Sequence, residues 1–143
     1  MFVAWLLSLA HAQTVEVTLG IVPATLHTLH IEVGAPATVH RFRSGVRLEA
    51  TIEVVPHEQG YALSFELAAL EKRADRSLTK AERALVQHLV RHVLPVGPDG
   101  RFARPTLVMP SSPGSTAHFE VGGEDANGAF VGVQVSGRVI EAA

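Results

Sequence analysis

The chain has 143 residues, with 12 basic and 14 acidic side chains, a formal net charge of −2 and no cysteine. That balance excludes a surface built to displace counterions from nucleic-acid phosphates, and the missing thiols exclude disulfides, thiolate metal sites and a cysteine nucleophile. The length suits one domain around one hydrophobic core.

Residues 1–12 form the first element. An uncharged apolar run from Phe2 to Leu9 ends in Ala10-His11-Ala12, the small-x-small pattern that a signal peptidase accepts in its narrow subsites. Cleavage is expected between Ala12 and Gln13, leaving 13–143 as a single β-rich domain with an inserted helix. No Lys or Arg precedes the apolar run. A bilayer-spanning helix needs about 20 apolar residues, roughly twice this run. No later stretch reaches that length, so the mature chain is expected to carry no integral membrane span. The expected location is periplasmic or secreted, and a domain without disulfides suits a periplasm well.

From Thr14 onward the dominant period is two, the signature of strands with one buried face. Val15, Val17, Leu19 and Ile21 alternate with polar or small residues, as do Leu29, Ile31 and Val33. Val46, Leu48, Ala50, Ile52 and Val54 follow, then Tyr61, Leu63, Phe65 and Leu67. Breakers at Gly34-Ala35-Pro36, Ser44-Gly45 and residues 56–60 mark the turns. Thr79-Lys80-Ala81-Glu82 reads as a capping box. After it, Leu85, Val86, Leu89, Val90 and Val93 recur at helical spacing until Pro95 and Gly97, which predicts an amphipathic helix over 79–94. Strands resume at 104–109, 115–121 and 129–140, with a bulge expected at Gly137. The fold class is mainly β: an antiparallel sandwich or partly open barrel of about seven or eight strands with one inserted helix.

The pattern holds no phosphate-cradling loop, no dinucleotide fingerprint, no nucleophile-elbow serine and no His-Glu-x-x-His. The reading therefore leans away from an enzyme. Histidine is the one enriched reactive residue. His88 and His92 lie four apart on the predicted helix, a spacing that puts two imidazoles on one side, within reach of a divalent ion. If 27–33 and 37–43 form a hairpin around Gly34-Ala35-Pro36, His30 faces His40. Glu32 then joins them on an outward face able to take zinc or copper. Phe42 shares that outward face in this register, opposite Thr28, as a candidate partner surface.

The stretch Arg104-Pro105-Thr106-Leu107, then Gly114 to Gly122 (Gly-Ser-Thr-Ala-His-Phe-Glu-Val-Gly), then Gly132-Val133-Gln134-Val135 resembles the β-rich pore domain of bacterial secretins. There a Pro-x-Leu strand precedes a Gly-x-x-Ala-x-Φ-x-Val-Gly strand (Φ apolar) and a Gly-Val-x-Val strand. The resemblance covers about 35 residues and implies an envelope role in assembly or transport. The chain is shorter than a secretin pore domain, and the helix has no counterpart in the pattern. The first expectation is an exported, non-catalytic binding or assembly module of the bacterial envelope, working with an envelope protein or by self-association. Two alternatives stand beside it: a periplasmic metal-binding protein using surface histidines, and a small hydrolase or lipid carrier.

Overall fold

The computed structural model describes residues 13–71, 73–92, 106–124 and 127–140. They form eight strands and one helix: β1 Thr14–Val22, β2 His27–Glu32, β3 Thr38–Arg43, β4 Arg47–His57, β5 Gly60–Ala69, α1 Lys80–His92, β6 Leu107–Met109, β7 Thr116–Glu124 and β8 Phe130–Ile140. Sheet one has the order β2-β1-β8-β7 and sheet two the order β3-β4-β5-β6, with every pairing antiparallel. The architecture is a β-sandwich of eight strands with one helix.

Period-two alternation decides which side chains enter the space between the sheets. From sheet one come Val15, Val17, Leu19 and Ile21 of β1 and Val131, Val133, Val135 and Val139 of β8. From sheet two come Leu48, Ala50, Ile52 and Val54 of β4 and Leu63, Phe65 and Leu67 of β5. Phe65 meets Phe119 across the two layers, their ring centroids 5.7 Å apart and their planes tilted by 51°. Tilted rings at this separation bring a positive edge toward a negative face.

The capping box forms as the spacing predicts: Glu82 N donates to Thr79 Oγ1 at 3.1 Å and Thr79 N to Glu82 Oε1 at 2.9 Å. The helix buries Val86, Leu89 and Val90. It packs beside β8, with Leu78 and Val86 close to Gly45 in the β3–β4 turn. Residues 93 and 94, expected in this helix, lie outside the described residues, as do the leader 1–12 and residues 104 and 105. Among the described residues no helix is long and apolar enough to cross a membrane.

Three local expectations are corrected. Residues 27–33 and 37–43 do not form a hairpin. β2 pairs with β1, placing His30 opposite Glu16, and β3 pairs with β4, placing His40 opposite Ala50. The cause lies in the connection between them. Val33 N donates to Gln13 O beside sheet one at 3.0 Å, while Gly34 N donates to Val54 O in sheet two at 2.8 Å. Two successive amides are thus tied to opposite layers, and the chain arches from one sheet to the other. Phe42, expected on a wet face, instead stands opposite Leu48 and packs half-buried against the core. At Gly137 the strand runs on without a bulge, opposite Val17 on one side and Ala117 on the other. Its missing side chain makes room for Met109, Leu63 and Val15, whose atoms stand 3.0–3.3 Å from where a Cβ would sit.

Candidate functional site

The histidines are dispersed. His30 Nε2 lies 3.6 Å from Glu16 Oε2 on the outer face of sheet one, where Arg138 also reaches Glu16 at 3.6 Å. His40, on the other sheet and half-buried, meets Thr38 Oγ1 at 2.8 Å. Glu32 is exposed beside β1, opposite Thr14. The His30–His40–Glu32 cluster is therefore not assembled, because its members belong to different layers. His118 pairs with Glu120 at 3.2 Å, and His57 Nδ1 accepts from Gln59 N at 3.1 Å. Among the described residues no group of three or more His, Asp or Glu is placed to hold a metal ion. His88 and His92 do come together on the exposed side of α1, ring centroids 4.4 Å apart.

Chemistry-bearing side chains gather most densely where β3 turns into β4. Arg43 ends β3 and pairs through Nη1 with Asp75, while its Nη2 reaches Glu71 Oε1 at 3.0 Å. Arg47, opposite Arg43 across the hairpin, donates its amide to Glu71 Oε1 at 3.2 Å. Two residue pairs back along β3, Arg41 Nε reaches Glu49 Oε2 at 3.0 Å. His27 lies against Phe42, ring centroids 4.8 Å apart and planes tilted by 46°, and its Nε2 makes a 2.8 Å hydrogen bond with the Arg43 carbonyl.

Arg43 divides two open clefts. One, of about 530 Å3, runs along Arg41, Phe42, Arg47 and Leu70. The other, of about 570 Å3, is lined by His27, Asp75, Ser77 and Glu82 among others. The second cleft contains a Ser, a His and an Asp, yet their bonds are structural. His27 Nε2 is held by the Arg43 carbonyl and Asp75 by the Arg43 guanidinium, and no hydrogen bond joins Ser77 to His27. A nucleophile needs its base within hydrogen-bond reach, with a third group orienting that base.

No family model, no curated protein and no solved structure matches this chain. What stands out is an edge. β3 is the outermost strand of sheet two, and Val39 on it is 58% exposed. The opposite edge, β6, has only three residues. The edge strand β7 of sheet one runs beside β6 at the closed side of the sandwich. Residues 37–43 entered the sequence reading only as one arm of a supposed hairpin; the arch at Val33 and Gly34, which makes them an edge strand, is a long-range contact that no local spacing encodes.

Proposed function

We propose that this chain is an exported, non-catalytic binding module of the bacterial cell envelope that holds its partner by strand addition along β3. The carrying observation is that β3 is an edge of sheet two among the described residues, with Val39 exposed upon it. An unpaired edge presents a row of backbone donors and acceptors that another extended segment can complete, and alternate side chains then select the partner. β3 contains Arg41 and Arg43 and no carboxylate. Their guanidinium groups are held in place by Glu49, Asp75 and Glu71. Such an edge rejects a second basic strand and favours an extended segment that combines acidic and β-branched residues.

Export is supported at the other end of the fold. Gln13, the first described residue, is already part of it: its carbonyl accepts from Val33 N and its side-chain oxygen from the Tyr61 hydroxyl. Loss of residues 1–12 would leave β1 whole from Thr14. The strands whose sequence resembles the secretin pore domain fall on β6, β7 and β8, and that resemblance favours assembly over catalysis.

Two measurements test the reading. Protein recovered from the envelope fraction should have the mass of a chain starting at Gln13; an intact Met1 there overturns export. Crosslinking in cells should join the wild-type chain to a partner and lose that product in Val39→Glu, which places a carboxylate against an acidic strand. Val39 is exposed, so this variant should keep wild-type stability within about 0.5 kcal/mol. Equal crosslinking by both chains, or none by either, overturns the β3 assignment.

A further inference from the structure

We infer that His88 and His92 form a two-imidazole chelate for a divalent transition-metal ion, with copper(II) held most tightly. The pair sits on a stiff support, because Val86, Leu89 and Val90 anchor the same helix in the core. Both imidazoles are on the solvent side of α1. Their ring centroids are 4.4 Å apart and their planes are inclined at 48°.

That separation can be compared with what a metal requires. A histidine nitrogen binds about 2.0–2.1 Å from the ion, which puts each ring centroid about 3.2 Å from it. Two rings at 90° around one ion then have centroids about 4.5 Å apart, and at the tetrahedral angle about 5.2 Å. The observed spacing is short enough for one ion to engage both rings. The intrinsic order of divalent affinities, copper above nickel and zinc, selects copper. Water would complete the coordination shell.

The setting is mixed in charge. α1 carries Arg91 and His92 in its last turn, where the negative end of the helix dipole favours a cation. Arg91 opposes the ion, but it is exposed and screened by salt. The remaining histidines among the described residues are engaged elsewhere. His27 and His40 bond to protein oxygens, His57 Nδ1 accepts an amide, and His30 and His118 each stand by one carboxylate. His118 with Glu120 is the strongest competitor, since it pairs a nitrogen with an oxygen at 3.2 Å.

The inference does not depend on the β3 edge, and it is tested on the full chain with copper(II) chloride, nickel(II) chloride and zinc chloride, each alone. Calorimetry should find one copper(II) per chain, bound more tightly than nickel or zinc. Because a chelate gains through the effective concentration of its second ligand, His88→Ala and His92→Ala should each weaken copper about a hundredfold. His118→Ala should leave the affinity unchanged. Electron paramagnetic resonance should show two equatorial nitrogens in the wild type and one in either single variant. Both variants alter exposed positions, and an unchanged melting temperature without metal verifies that they fold. No copper binding by the wild type, full affinity in the His88→Ala/His92→Ala double variant, or tighter zinc than copper would each overturn the assignment.

Discussion

The amide of Ile21 donates to Ser44 Oγ at 2.7 Å, joining the last buried residue of β1 to the turn that follows β3. Ser44 is the one buried polar side chain among the described residues, only 1% exposed, and its hydroxyl donates onward to the Thr25 carbonyl at 2.6 Å. One hydroxyl thus satisfies an amide of sheet one and a carbonyl of the β1–β2 turn from a position on sheet two. An alanine there would strip a partner from a buried N–H, and leaving a buried donor unsatisfied costs about 1–3 kcal/mol. Ser44→Ala should lower the urea-unfolding free energy by that amount. Its amide exchange should accelerate first at Ile21.

The core makes a larger demand. Phe65 is 1% exposed and spans the sandwich to Phe119. Replacing a buried phenylalanine by alanine costs about 3–5 kcal/mol through lost burial plus the cavity left behind. Phe65→Ala should therefore remove much of the stability of a domain of ordinary size, about 5–15 kcal/mol in total. Denaturant titration followed by far-ultraviolet circular dichroism measures it; a loss under 1 kcal/mol would mean that the two layers do not meet at this residue.

Thr79 and Glu82 bond reciprocally across the start of α1. Removing the cap costs about 1 kcal/mol, because an amide of the first turn loses its acceptor. Thr79→Ala should show that loss in urea unfolding, whereas Thr79→Ser, which keeps the hydroxyl, should stay close to wild type.

These sites differ in how openly the sequence announces them, and the difference is physical. The cap was legible because its three-residue spacing is local. The inward faces of β1, β4 and β5 were legible because alternation alone decides which face a side chain takes. Pairing is another matter. Nothing in the period of 27–33 or 37–43 says which strand lies beside it, so His30 and His40 could be brought together on paper and are held apart by Val33 and Gly34 in the fold. Phe42 changed faces for the same reason. Arg43, Glu71 and Asp75 lie up to 32 residues apart and carry no shared signature. The His88–His92 pair survived because the helix that creates it is local.

The tightest test of the fold lies at Gly60, where β4 turns into β5. The turn residues Glu58 and Gln59 separate the paired residues His57 and Gly60. No non-glycine residue among those described has a positive φ, so the left-handed requirement of this hairpin falls on Gly60, at φ +136°. A Cβ there would stand 2.1 Å from the Met109 carbonyl oxygen and 2.8 Å from Pro110 Cα, both backbone atoms of the neighbouring segment. Those atoms cannot rotate away as a side chain would, so β6 must shift. The strained backbone alone costs about 1–2 kcal/mol, and the displaced pairing of Tyr61 with Met109 adds to it. Gly60→Ala should thus destabilise the protein by more than about 2 kcal/mol, with amide exchange fastest at Val108 and Met109. Gly34→Ala is the comparison: its Cβ would meet nothing within 4 Å, so only the strain at φ +87° remains and β6 should stay protected. If both variants lose the same stability and β6 exchanges alike in each, the close approach of β6 to Gly60 is not what holds that edge of the sheet.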